Sequence, residues 1–160
     1  WSGDAAANHE LVGAVLADCV AGLEQPEAQL EPHIDTINEW MAGDDLGAIH
    51  ARVMGWQGDD SWLCKACDGF AHGSPLAASW IFRQLNQTRE ATLEAVFESE
   101  LIMGCNIMRH PEFAEGVRAL LVDKDRSPAW AYPDLASVPA DVVDSFFTAP
   151  ADMPVLGLPE

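Results

Sequence analysis

The sequence predicts an all-α fold, and three observations carry that expectation. Apolar residues recur at three- and four-residue steps along nearly the whole chain. Asp, Ser or Pro stands ahead of most of these periodic stretches, where helices start. No alternation of apolar and polar residues runs long enough for a strand. With 49% hydrophobic and 21% charged residues, the 160-residue chain has the composition of a folded domain rather than a disordered segment.

Taken in order, Leu11, Val12, Val15, Leu16, Cys19, Val20 and Leu23 make one apolar face of a first helix. Residues 24–32, carrying Pro26 and Pro32, form a connector. Ile34, Ile37 and Trp40 with Met41 mark a short helix that ends near Gly43. Asp44 or Asp45 caps the next one, with Leu46, Ile49 and Val53 inward. Gly58 and Asp59 or Asp60 open another, burying Trp62, Leu63, Ala66, Cys67 and Phe70. Ser74-Pro75 is a strong start, a hydroxyl cap before a proline whose missing N–H costs nothing in the first turn. That helix is expected to reach about Leu85. A long helix follows over roughly 89–109, with Leu93, Val96, Phe97, Leu101 and Met108 giving its rhythm. His110-Pro111 breaks it, and Pro111 starts a helix that buries Phe113, Val117, Leu120 and Leu121. Residues 123–132 read as a loop, and Pro139 precedes a last short helix at 140–147. The chain is expected to divide into a helical domain over residues 1–147 and a proline-rich tail over 148–160.

The net charge of −18 argues against nucleic acid and anionic membranes as partners, because the summed field repels polyphosphates before contact. The charge is uneven. Between Arg109 and Arg126, four bases face four acids, and all of the imbalance lies elsewhere. An anionic ligand is therefore expected near that window. The longest apolar runs, such as 119–122, are far too short to span a bilayer. Residues 1–8 lack a basic start and an apolar stretch, so a secretory signal is not expected there. A chain opening at Trp1 rather than Met reads as an excised piece. Cys19, Cys64, Cys67 and Cys105 read as reduced thiols of a protein that is not secreted.

Four local motifs invite chemistry. Cys64-Lys-Ala-Cys67 has a redox or half-zinc spacing, yet no strand precedes it and no second ligand pair accompanies it. Helix packing explains it better. Ser74 in His72-Gly-Ser74 has no nucleophile elbow and reads as a helix cap. Asp123-Lys-Asp125 lacks the further oxygens and the glycine of a calcium loop, so a turn is expected there and no metal site. The six tryptophans fall at helical spacing and are expected in the core rather than in a ligand cage. The residues alone thus yield no catalytic constellation.

One stretch is highly specific, running from Phe113-Ala-Glu-Gly-Val-Arg-Ala through Lys124 to Pro128-Ala-Trp130. Its frame resembles the C-terminal signature of the enoyl-CoA hydratase/isomerase (crotonase) superfamily. The fuller run into Val122-Asp-Lys-Asp-Arg-Ser-Pro128 looks like the 3-hydroxyisobutyryl-CoA hydrolase branch. Ile37-Asn-Glu-Trp-Met41 followed by 44–53, Gly73-Ser-Pro75 leading to Arg83-Gln-Leu85, and 93–100 before Arg109-His110 agree in order and spacing. The resemblance covers about residues 34–147, with 8–33 a weaker continuation.

The resemblance implies the C-terminal helical region of a crotonase-like enzyme with its β-containing core absent. Oxyanion donors, the Gly-rich segment and the hydrolytic carboxylate would then lie upstream, leaving no catalytic residue in this chain. Glu115 belongs to the signature as a structural residue. Lys124, with Arg126 beside it, is expected to meet a phosphate of coenzyme A. No separate cofactor is implied, since coenzyme A is part of the substrate. The implied partners are an acyl-CoA, the crotonase core in cis, and a second copy of the chain through uncovered apolar faces. The implied activity is thioester hydrolysis, as in valine breakdown, in bacterial cytoplasm or the mitochondrial matrix. An enoyl-CoA hydratase or isomerase with the same helices is the alternative, and a stand-alone acidic helical interaction module is the second.

Overall fold

In the computed structural model, which describes residues 3–24 and 27–153, every regular element is helical. The chain divides into one unit up to Ile34 and a second from Asp35 onward. The first unit holds α1 (Ala5–Val20), whose N-terminus is closed by the Asp4 carboxylate accepting from the Ala6 and Ala7 N–H groups. The expected apolar stripe of α1 is there, but its Leu11, Val12, Val15, Leu16 and Val20 are exposed. Periodicity made the helix; it did not supply a surface to cover it. A single 3₁₀ turn, Glu31–His33, follows with Pro32 near its start. Pro26 of the expected connector lies outside the described residues.

The second unit is built around two apolar clusters. α2 (Ile34–Trp40), α3 (Leu46–Met54) and α4 (Ser61–His72) supply the first. Asp45 and Asp60 cap α3 and α4, each carboxylate taking two N–H groups that the helix leaves without partners. Trp40, Ile49, Val53 and Leu63 interlock between them, with Phe70 and Phe82 alongside. Trp56 meets Trp40 edge to face at 5.8 Å. Arg52 fastens the α2–α3 turn by donating from Nε to the Trp40 carbonyl at 2.9 Å and from its guanidinium to the Ala42 carbonyl. The turn itself needs Gly43, whose φ of +90° other residues resist.

α5 (Pro75–Thr88), α6 (Leu93–Ile107) and α8 (Ala140–Ser145) build the second cluster. Leu76, Val143 and Phe146 are buried at its centre, with Trp80, Ile107 and Tyr132 packed against them. α5 starts at Ser74-Pro75 as the sequence predicts, then runs on to Thr88. α6 starts later than expected, at Leu93, because the Thr92 hydroxyl accepts the Ala95 N–H and fixes the start there. Past α8 the chain is fastened to α6. Asn106 Nδ2 donates to the Phe146 and Thr148 carbonyls (3.1 and 2.9 Å), and Arg109 grips Asp152 through two 3.0 Å bonds. Residues 154–160 of the expected tail lie outside the described residues. No described helix is long and apolar enough to cross a membrane.

Between α6 and α8 lies α7 (Pro111–Val117), which continues as a π-helical turn over Arg118–Val122. The Asp123 N–H donates to the Arg118 carbonyl five residues back, at 2.8 Å. That widened turn breaks the 3.6-residue register after Val117. Ala119 becomes fully buried, while Leu120 and Leu121, expected inside, are 61% and 68% exposed. Truncation should report the difference. Leu76→Ala should lower unfolding free energy by about 2–5 kcal/mol in urea titration. Leu120→Ala should change it by less than about 0.5 kcal/mol. Equal losses would contradict this division into covered and uncovered leucines.

Candidate functional site

The signature segment folds into one compact piece of geometry, starting from the break at His110-Pro111. His110 Nδ1 accepts the Glu112 N–H at 3.3 Å, and Pro111 occupies the first turn without needing a donor partner. Glu112 and Glu115 follow one turn apart on the same face of α7. Each accepts a backbone N–H from the segment that returns past the helix. Glu115 Oε1 takes the Ala129 N–H at 2.7 Å, and Glu112 Oε1 takes the Ala131 N–H at 2.9 Å. The other oxygen of Glu112 accepts the Ser74 hydroxyl, tying α7 to the start of α5.

Trp130 lies between those two alanines. Its indole N–H donates to the His72 carbonyl at 2.9 Å, which joins the signature to the end of α4. Gly116 fits beside its ring, since an added Cβ would sit 3.3 Å from the indole edge. The Phe-x-Glu-Gly and Pro-x-Trp halves of the frame are thus one contact. Glu112, Glu115, Gly116 and Trp130 together join α4, α5 and α7.

Arg118 closes the arrangement. Its Nε and Nη2 bond both oxygens of Glu115 at 2.8 Å, and its Nη1 reaches Asp123 and Asp125 at 2.6 and 2.7 Å. Nη2 also donates to the Ser127 carbonyl at 3.2 Å. The forked, charge-assisted bond to Arg118, followed by the Ala129 N–H, holds the Glu115 carboxyl down at about 2. Asp125 is pulled below the usual carboxylate range by Arg118 first and the Ser127 N–H second. Arg118 is pushed upward by the same acids, Glu115 foremost.

Lys124 and Arg126 alternate with those two aspartates. Both are exposed, and both hold left-handed backbone, with φ of 58° and 55°. That conformation costs roughly 1–2 kcal/mol for a residue with a Cβ, so bonds around the loop must enforce it. The Arg126 N–H to the Ala119 carbonyl (3.0 Å) and the Ser127 N–H to Asp125 (2.8 Å) are two of them. Neither cationic side chain has a hydrogen-bond or ion-pair partner among the described residues. The geometry therefore presents two exposed bases, two residues apart and without partners among the described residues, in a chain that is otherwise strongly acidic.

An open apolar groove of about 350 Å³ is walled by Trp80, Ile107, Phe113, Leu120, Leu121 and Trp130. The remaining motifs settle as packing. Cys67 Sγ donates to the Val53 carbonyl at 3.4 Å, and burial, then the neighbouring Cys64, pushes its thiol up, away from a reactive thiolate. Ser74 accepts the Ala77 N–H at 2.9 Å as a cap. The Asp123-Lys-Asp125 turn is tighter than a solvated loop, because both carboxylates are committed to Arg118. Sequence reasoning missed the roles of Arg118 and Glu112. The signal was the three-residue spacing from Glu112 to Glu115 to Arg118, ahead of acids two apart.

An all-helical chain with this signature at its hub defines a class. The sequence profile of enoyl-CoA hydratase/isomerase matches residues 3–147, and the chain belongs to that family. It is 30% identical over 124 residues to the mitochondrial 3-hydroxyisobutyryl-CoA hydrolase of Gallus gallus, covering 78% of this chain and 32% of that protein. It is 35% identical over 144 residues to 3-hydroxyisobutyryl-CoA hydrolase-like protein 1, mitochondrial, of Arabidopsis thaliana, covering 87% and 36%. Among solved structures, it is similar to an enoyl-CoA hydratase from Rhodobacter sphaeroides 2.4.1, with a TM-score of 0.67 at 27% identity. That match covers 89% of this chain and 43% of the other. The chain thus spans about a third of the length of the curated relatives it matches.

The carboxylate at the hub sets a pH signature. A carboxyl depressed in the folded state stabilises above its unfolded value and loses that contribution as pH falls toward the folded one. The stability gap between the wild-type chain and Glu115→Gln should therefore stay constant from neutrality to about pH 5, then narrow between 4.5 and about 2. Thermal melts of both across that range measure it; a gap independent of pH would contradict the bond to Arg118.

Proposed function

We propose that this chain is the C-terminal helical part of an acyl-CoA thioester hydrolase resembling 3-hydroxyisobutyryl-CoA hydrolase. Its reacting groups would belong to a hydratase-like core in cis. The observation that carries this is the match itself: curated hydrolases align across the signature, yet are about three times longer than this chain. Thioester hydrolysis needs donors aimed at the developing oxyanion and a base for water. The carboxylates at the hub are spent on backbone N–H groups and Arg118, and the Ser74 hydroxyl is spent on Glu112 and the α5 cap. None is available for that chemistry.

Lys124, as a point charge, with Arg126 beside it, is assigned to a coenzyme A phosphate on the strength of their exposure and lack of acidic partners among the described residues. Coenzyme A enters as part of the substrate, and no separate cofactor is invoked. The apolar groove and the exposed Leu120, Leu121 and Val122 are the surface suited to meet the core, since uncovered apolar patches of this kind mark interfaces. A hydratase or isomerase is the second reading, favoured by solved structures of an enoyl-CoA hydratase and a carnitinyl-CoA dehydratase at 27% and 26% identity.

Incubating the 160-residue chain with 3-hydroxyisobutyryl-CoA and following thiol release tests the assignment. Release should match the buffer blank, and turnover by the chain alone would overturn it. In the polypeptide that joins this chain to a hydratase-like core, Lys124→Ala should raise the Michaelis constant by about fivefold, the worth of one screened ionic contact. Turnover should change less. An unchanged Michaelis constant would remove Lys124 from the coenzyme A site.

A further inference from the structure

We propose that Arg118 is a positioning residue for the phosphate-facing loop. By holding Asp123 and Asp125 on its own guanidinium, it keeps Lys124 and Arg126 in left-handed backbone and clear of acidic partners. The inference rests on the assignment of those two bases to a coenzyme A phosphate and adds the device that makes them usable.

The loop sequence alternates acid and base: Asp123, Lys124, Asp125, Arg126. Left to itself, such a run neutralises its own cations with the carboxylates next to them. Arg118 prevents this from one turn back. Five bonds leave its guanidinium group, two to Glu115, one each to Asp123, Asp125 and the Ser127 carbonyl. That count matches the donor capacity of the group. Two of those bonds hold the residues on either side of Lys124, and the last two bracket Arg126. The π turn places the Arg118 side chain for this, since the Asp123 N–H returns to its carbonyl at 2.8 Å. Glu115 in turn orients the guanidinium plane by a two-point grip. A lysine at 118 keeps the charge but has three donors on one atom and no planar fork, so it cannot keep the two-point grip on Glu115 and also hold both aspartates and the Ser127 carbonyl.

The test uses the 160-residue chain and adenosine 3′,5′-bisphosphate as the probe, with adenosine as control, followed by amide chemical shifts. In the wild type the bisphosphate should shift the amides of residues 123–127 and adenosine should not. Lys124→Ala should weaken binding by roughly fivefold. Arg118→Lys should weaken it by a similar factor, roughly fivefold, although both cations remain. It should also remove the strong intraresidue amide-to-Hα Overhauser effects that left-handed Lys124 and Arg126 give. A residue that only stabilised the helix would lower the melting temperature without moving those effects. If Arg118→Lys binds the probe as the wild type does while Lys124→Ala does not, the positioning role is overturned and the phosphate assignment stands. If the wild-type amides do not respond to the bisphosphate, the phosphate assignment fails and the role of Arg118 fails with it.

Discussion

The arrangement depends on one carboxylate. Glu115 accepts two bonds from Arg118 and one from the Ala129 N–H, so a single side chain fixes both the turn that leaves α7 and the segment that comes back past it. Its lowered pKa is the electrostatic record of those donors. Glu112 repeats the device one turn earlier with the Ala131 N–H and adds the Ser74 hydroxyl. Helix propensity contributes little here, since α7 has only seven residues before the backbone widens. Charged bonds to backbone supply the order that a longer apolar face supplies elsewhere.

That constraint gives Gly116 and Trp130 their places in this chain. Glycine at 116 lets the Trp130 ring lie against the helix, and the indole N–H then reaches the last turn of α4. Both apolar clusters are thereby tied to one hub, the Trp40–Leu63 cluster through α4 and the Leu76–Phe146 cluster through α5. The same hub creates the electrostatic contrast of the chain. Three acids are gathered on Arg118, and Lys124 and Arg126 are left outside it, in a protein whose net charge is −18. A fixed pair of bases in such a field is a local feature that net charge alone hides.

Much of the fold was legible in the sequence because its signals are short-range. Asp45, Asp60 and Ser74 cap the helices they precede, and Pro75, Pro111 and Pro139 mark starts. Ile49 and Val53 are inside, as their spacing requires. What escaped is what local rules do not encode. The Thr92 cap set the start of α6 at Leu93, after the rough expected start at 89. The π turn is one residue of extra winding, invisible to a 3.6-residue template, and it carried Leu120 and Leu121 to the surface. For α1, periodicity predicted an apolar face, and that face is exposed, because periodicity shapes a stripe without saying what covers it. Of the candidate site, the neutral window that holds Lys124 and Arg126 was legible in the charge distribution, and their meeting with a phosphate is a proposal. The role of Arg118 was not legible, because it depends on acids brought to it by a turn no pattern announces.

Hydrogen exchange at two amides tests the central claim most directly. Ala129 and Ala131 sit in an exposed segment outside any helix, where N–H groups ordinarily exchange quickly. If the carboxylates of α7 hold that segment, both amides exchange far more slowly than their unstructured rates. Protection at Ala129 is then lost in Glu115→Ala and at Ala131 in Glu112→Ala, which remove the accepting oxygens. Unprotected amides in the wild-type chain, or protection indifferent to both substitutions, would contradict it.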